Sequence, residues 1–283
     1  MMLKFRYHIL SSFWIKVIAL FLMTLDHIAK FMYFNEISPQ IADILEIFGR
    51  LGFPLFILLL VESVRHTSNF GKYALRLGIL ASIILLGQIV IHHGFMDIYA
   101  FYSPIIDLLL CALILYLLKQ KNKKSFWAII PVAYIILSFI VMAIEEQRGI
   151  EIWWFPFYLR SGYNIFALLL SLGFFYSYPL AKTILKNYQN GVENLEDTGY
   201  ERLLVNTLMC FVVLLTVVII YLIGLIPGGD IYNIVHEAYA VCAIAFIFLY
   251  SGELGYHKKW FKYGAYAYFP LHIIIIFVIF LLI

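Results

Sequence analysis

The stretch Leu203–Leu225, LLVNTLMCFVVLLTVVIIYLIGL, contains no charged side chain. At a rise of about 1.5 Å per residue, such a run is long enough as a helix to cross about 30 Å of hydrocarbon. In lipid, a helix satisfies its own backbone N–H and C=O groups, so an uninterrupted apolar run of this length reads as a spanning helix. Comparable windows recur from one end of the chain to the other. They lie at Ser12–Phe34, Arg50–Arg65, Lys72–His92, Tyr102–Leu118, Phe126–Ile144, Tyr163–Ile184, Leu203–Leu225, Ile231–Ser251 and Gly264–Ile283. The expected fold is an all-α, polytopic transmembrane bundle of about nine spans, forming a single domain. Composition agrees: the 283 residues are 64% hydrophobic and 13% charged, against about 25% charged residues in soluble domains. The second and fourth windows are short and contain Pro54 and Pro104. The second is expected either to tilt little or to follow an interfacial turn over Ile41–Phe48.

Lys and Arg set the orientation. Lys4 and Arg6 precede the first span, and Arg65 and Lys72 flank the loop after the second. Lys119, Lys121, Lys123 and Lys124 follow the fourth; Lys182, Lys186 and Arg202 follow the sixth; Lys258, Lys259 and Lys262 follow the eighth. The alternate loops hold only Arg148 and Arg160, with an aromatic interfacial segment over Glu151–Trp154, Phe155, Phe157 and Tyr158. Cytoplasmic loops carry the excess of basic residues, so the N-terminus is expected in the cytoplasm. The location implied is the plasma or inner membrane. The first apolar run carries Lys16 and Asp26 and lacks a small-residue cleavage site, which favours a retained span over a signal peptide. Cys111, Cys210 and Cys242 fall inside apolar runs and read as packing residues. The net charge of +3 is small, and nucleic acid is not an expected partner.

Charged and imidazole groups within spans are costly, about 2.5–3.5 kcal/mol for a central charge on insertion scales, and so mark function by default. Here they are Lys16, Asp26, His27 and Lys30 in span one, Glu62 in span two, Arg76 in span three, Asp107 in span four, His236 and Glu237 in span eight, and His272 in span nine. By depth, His27, Gln88, Asp107, His236 and Glu237 fall in the outer halves of their spans, where Arg50 also opens span two. Lys16, Glu62, Thr67, Asn69 and Arg76 lie toward the cytoplasm, and His272 lies near the middle. This pattern reads as two polar vestibules with a histidine between them. Structural readings stand beside the functional ones. Asp26 and Lys30 share a helix face and could neutralise each other; Glu62 could pair with Arg76 or Arg65; Lys16 could snorkel; Asp107 could cap a broken helix.

The order of these residues also carries a resemblance. Span one ends its motif in Asp26-His27, followed by Gly49-Arg50-Leu-Gly-Phe-Pro54, then Glu62, His66-Thr67-Ser68-Asn69 and Lys72-Tyr73-Ala-Leu-Arg76. Near the end stand Leu249-Tyr250-Ser251-Gly252-Glu253-Leu254-Gly255, Lys258-Lys259-Trp260 and Tyr268-Phe269-Pro270-Leu271-His272. Together they resemble the TraX family of bacterial membrane proteins, within a broader superfamily of membrane acyltransferases that includes the lysosomal heparan acetyltransferase. The resemblance covers the first third and the last span; the middle matches in hydropathy alone. Where the family usually shows Tyr-Asn-Gly followed by basic residues, this chain has Tyr250-Ser251-Gly252-Glu253-Leu254.

The resemblance implies acetylation, with cytoplasmic acetyl-CoA as donor and a peptide N-terminus, as in pilin, or an envelope sugar as acceptor in or across the membrane. Acyl transfer needs a base that works near neutral pH and a donor to the carbonyl oxygen. On that reading His27 is the base, Asp26 its electrostatic neighbour, and His272 a rival base or oxyanion donor. Arg50, Glu62, Thr67, Asn69, Gln88, Asp107 and His236 are the expected substrate-binding residues. Lys72, Arg76, Lys258, Lys259 and Lys262 are the expected donor-binding cations. No metal is expected. Two rival functions fit the same residues: a secondary transporter, for which intramembrane acids and proline-broken spans are also typical, and a membrane scaffold for pilus or envelope assembly.

Overall fold

A computed structural model describes residues 9–94, 103–120, 122–188, 200–226 and 234–282. Lys4, Arg6 and Lys121, residues 95–102 and 227–233, and most of the hydrophilic loop (189–199) lie outside the described residues. The described residues form α1 (Ser12–Phe34), α2 (Pro39–Arg50), α3 (Gly52–His66), α4 (Phe70–Gly94), α5 (Pro104–Lys119), α6 (Ile129–Arg148), α7 (Asn164–Tyr188), α8 (Tyr200–Gly224), α9 (Ile234–Ala238), α10 (Ile244–Phe248) and α11 (Lys259–Leu282). Short 3₁₀ turns, Lys123–Ala128, Phe157–Leu159 and Tyr239–Ala243, join some of them.

Seven helical segments among the described residues are long and apolar enough to cross a membrane. The protein is thus an all-helical, multi-pass membrane protein in a lipid bilayer environment. Between these segments lie two shorter ones, the 16-residue α5 and the broken segment His236–Phe248. The side chains are arranged as lipid requires. Leu75, Ile79, Ile83, Leu86 and Val90 are exposed on α4, and Phe211, Leu214, Leu215, Val218 and Leu222 on α8. Asp26, His27, Glu62, Asp107, Asn206, Glu237 and His272 are buried instead. Apolar side chains face out, while polar ones find partners inside.

α3 is apolar around nearly its whole circumference, and its Leu55, Ile57, Leu58, Val61 and Val64 are buried. A helix of that kind belongs in the middle of a bundle. It packs against α1, α5, α7, α10 and the Tyr239–Ala243 turn. Span two differs from expectation at its start. Ile41–Phe48 is not a turn but most of α2, which runs through Leu51 (φ −67°, ψ −23°) into α3. Pro39 sits in the first turn of α2, where a missing N–H costs nothing, and Pro54 sits in the first turn of α3. α11 begins at Lys259, earlier than expected, so Lys259 and Lys262 stand on a helix.

α1 packs most extensively on α2, and one glycine explains the closeness. A Cβ on Gly49 would collide with the Cβ of Asp26 and lie 2.7 Å from its Cα. The start of α1 is held by the loop Leu249–Gly255. Ser12 N–H donates to the Glu253 carbonyl (2.7 Å) and Phe13 N–H to the Leu254 carbonyl (3.2 Å), satisfying donors that a helix N-terminus leaves over. Ser251 N–H donates back to the Leu10 carbonyl (2.8 Å), and the hydroxyls of Tyr250 and Ser12 are 2.7 Å apart. Gly255 turns this loop with φ +65° against Ser11, where a side chain has no room.

Candidate functional site

The ends of α1, α3, α4 and α11 that carry basic residues surround a cavity of about 350 Å³, at the low end of small-molecule sites. Lys16, Arg76, Lys258 and Lys262 line it, with Thr67, Ser63, Tyr73 and His257. Its inner end is apolar, formed by Leu20, Phe56, Leu60 and Phe269 among others. Of the expected donor-binding residues, Arg76, Lys258 and Lys262 thus share one wall system. Lys72 and Lys259 are exposed beside it. Asn69 acts locally: its Oδ1 accepts the Lys72 N–H (2.9 Å) at the start of α4, an N-terminal cap.

A second, smaller cavity of about 30 Å³ lies deeper, lined by Met23, Asp26, His27, Lys30, Gly49, Gly52, Phe53, Phe56, Pro104 and Tyr163. Phe56 lines both cavities. Lys16, which lines the wide cavity, and His27, which lines the small one, are separated by about 16 Å of α1. Asp26 and Lys30 form the expected ion pair at 2.5 Å. The other oxygen of Asp26, Oδ1, is buried and makes no hydrogen bond among the described residues.

The two histidines meet. Nδ1–H of His27 donates to the Met23 carbonyl (2.8 Å), and Nδ1–H of His272 donates to the Tyr268 carbonyl (2.9 Å). A carbonyl only accepts, so each neutral imidazole carries its proton on Nδ1. His272 Nε2, then an acceptor, lies 3.4 Å from His27 Nδ1. The His27 proton is thereby held from two directions, which leaves Nε2 as the basic nitrogen of His27. Tyr268 stacks on His272 with rings 8° from parallel. The Thr24 hydroxyl donates to the Leu20 carbonyl (2.9 Å), so the Tyr268 hydroxyl, 2.6 Å away, donates to Thr24. α11 is therefore keyed to α1 at the level of the histidine pair.

Arg50 lies beyond the small cavity. It pairs with Glu46 one turn back and with Glu237 of α9 (2.6 Å), and Nδ1 of His236 is 3.1 Å from Glu46. Arg50 Nε and Glu237 Oε2 are buried without a hydrogen bond among the described residues. Glu46 falls in the stretch Ile41–Phe48, where no helix is expected from sequence; its i, i+4 spacing to Arg50 is the available signal. Tyr163, in sequence only the start of a span, belongs to the site as well. Its ring stacks on Phe53 at 3.7 Å and lines the small cavity.

Asp107, one of the expected substrate contacts, stands among the backbone donors that open α7. Its Oδ1 accepts the Ser161 hydroxyl and the N–H groups of Tyr163 (3.2 Å) and Asn164 (3.0 Å), and Oδ2 accepts Gly162 N–H (3.0 Å). It caps α7 rather than its own helix, the place where a carboxylate meets unpaired N–H groups and the positive helix end. Glu62 pairs with neither Arg76 nor Arg65. Its partners are Arg202 of α8 (3.0 Å), the Tyr178 hydroxyl of α7 and His66 (3.2 Å). Arg65 instead sits 2.9 Å from the Tyr178 ring centroid. Gln88 lies on α4, outside the two cavities that meet at Phe56.

The family model described as TraX protein matches residues 11–167, more than half of the chain. That stretch carries Asp26, His27, Arg50, Phe56, Arg76 and Tyr163; His272 and the lysines of α11 lie outside it. No curated protein and no solved structure matches the chain.

Proposed function

This chain belongs to the TraX family, and from that premise we propose that it is an acetyltransferase embedded in the cytoplasmic membrane. The donor is acetyl-CoA, and the acceptor is an amine or hydroxyl of a peptide N-terminus or an envelope sugar. The observation that carries the reading is the pair of cavities meeting at Phe56. The wide one is lined by Lys16, Arg76, Lys258 and Lys262, and the small one contains His27, Asp26 and Lys30. Cations suit the phosphates of a CoA donor, with the arginine able to contact them bidentately. The apolar inner end suits the pantetheine arm, and the small cavity suits the acyl group.

In the proposed reaction the acceptor attacks the thioester carbonyl carbon. Its proton passes to Nε2 of His27 as the new C–N or C–O bond forms, the C–S bond breaks, and the departing sulfur takes that proton as the free thiol. His272 is a positioning residue that holds the His27 tautomer. Lys30 and Tyr163, which line the same space, are the candidates to stabilise the carbonyl oxygen. Asp26 anchors Lys30.

The proposal includes nine crossings with the N-terminus in the cytoplasm, counting α5 and His236–Phe248 with the longer helices. It is supported by the way the basic ends gather. Lys119 donates to the carbonyls of Val64 (3.1 Å) and Arg65 (2.8 Å), Arg202 meets Glu62, and the loop before Lys258 holds the start of α1. The positive-inside rule then assigns that end to the cytoplasm.

Membrane vesicles test both parts together. Inside-out vesicles should consume acetyl-CoA and right-side-out vesicles should not. Arg76→Ala should raise the donor KM about tenfold or more, since a hydrogen bond to a charged group contributes about 1.5–3 kcal/mol, and the effect of replacing the lysines should shrink as salt is added. Consumption by right-side-out vesicles would overturn the orientation, and an unchanged KM in both variants would overturn the donor site.

A further inference from the structure

Phe56 is the one lining residue that the two cavities share. Its ring is backed by Phe269 of α11, with centroids 5.8 Å apart and planes at 63°. Phe269 is buried, and it stands three residues before His272, on the helix that α1 grips through Tyr268 and Thr24. The ring is therefore braced against a fixed neighbour. On one side of it the space measures about 350 Å³; on the other, about 30 Å³. The inner space is about a twelfth the size of the outer one. Its walls combine the apolar Met23, Phe53 and Phe56 with the polar His27, Lys30 and Tyr163. A methyl and a carbonyl suit that space, whereas a longer chain would bring further methylenes against Phe56 and Phe53.

We propose that Phe56, backed by Phe269, is the acyl-length selector of this protein, admitting a two-carbon acyl group to His27 and excluding longer ones. The proposal rests on the acyltransferase reading above. It adds that donor choice is made at the constriction and not in the cation-lined cavity, where acetyl- and butyryl-CoA present the same phosphates and pantetheine. Discrimination should therefore appear in turnover more than in donor affinity. A methylene in an apolar pocket is typically discriminated by about 10–200-fold, which sets the scale expected here for acetyl over butyryl.

The test compares kcat/KM for acetyl-CoA and butyryl-CoA in the purified full-length protein, together with the Kd of each donor. Wild type should favour acetyl by at least about tenfold, with similar Kd values. Phe56→Ala should lower that preference by about tenfold or more. Phe56→Trp, which adds volume at the same point, should depress acetyl turnover, and it serves if the alanine variant fails to fold. An unchanged acetyl-to-butyryl ratio in a Phe56→Ala protein that still transfers acetyl would overturn the selector and leave the acyltransferase reading standing. So would a Phe56→Trp protein with normal acetyl turnover. A wild-type protein that neither binds nor turns over either thioester would overturn the acyltransferase reading, and the selector with it.

Discussion

Replacing His27 with alanine is expected to lower acetyl transfer by about 10²–10⁴-fold, the usual contribution of a positioned general base, without weakening the binding of acetyl-CoA. The separation of effects follows from distance along α1. The cations proposed to hold the donor sit at the Lys16 end, about 16 Å from His27, and Phe56 stands between. His27→Gln should fail as completely as His27→Ala. Its amide can still donate to the Met23 carbonyl, which His27 Nδ1 meets at 2.8 Å, but it takes no proton in this pH range. His272→Gln should lose less, because its proposed task is to hold the His27 tautomer across the 3.4 Å contact. Near-normal turnover in a well-folded His27→Gln protein would move the base to His272. A trappable acetyl-histidine with ping-pong kinetics would make His27 a nucleophile instead.

Asp107→Ala should be among the most destabilising single changes in the protein. The carboxylate accepts three N–H groups at the start of α7 as well as the Ser161 hydroxyl, and it is fully buried. Each buried donor left unpaired costs about 1–3 kcal/mol, so several kcal/mol are at stake. Asp107→Asn keeps one acceptor oxygen and should recover part of the loss. Thermal unfolding in detergent, with wild type as reference, measures both. An Asp107→Ala protein as stable as wild type but with a raised acceptor KM would show that the residue binds substrate and does not serve α7.

The helices were legible because lipid leaves the chain so little choice. A run such as Leu203–Leu225 has no alternative to a helix once in the bilayer, and it forms most of α8. The buried acids and histidines were legible for the same reason, since an expensive group in an apolar run has to be somewhere useful. Partners were not legible. Glu62 was expected to use Arg65 or Arg76, near in sequence, and instead reaches Arg202 and Tyr178, whose proximity depends on how α7 and α8 pack around α3. The meeting of His27 with His272 depends likewise on α1 and α11 lying together. Asp107 was read as a possible cap for its own helix; it caps another, because α5 places it under the first turn of α7. Phe56 could not be singled out at all. It is one of 25 phenylalanines, and only the two cavities on either side of it give it a role. The Leu249–Gly255 loop lends Leu254 to the cavity wall and its backbone to the start of α1.

The central claim is that a single path leads from a cation-lined donor site, past Phe56, to the basic nitrogen of His27. The most direct measurement is a cryo-EM map of the full-length protein with a thioether analogue of acetyl-CoA, in which the scissile C–S bond cannot be cleaved. The account predicts density for phosphates beside Arg76, Lys258 and Lys262, a pantetheine arm running inward to Phe56, and the two-carbon end within reach of His27. Density that enters from the opposite end of the bundle, or a bound analogue whose acyl end lies remote from His27, would contradict it.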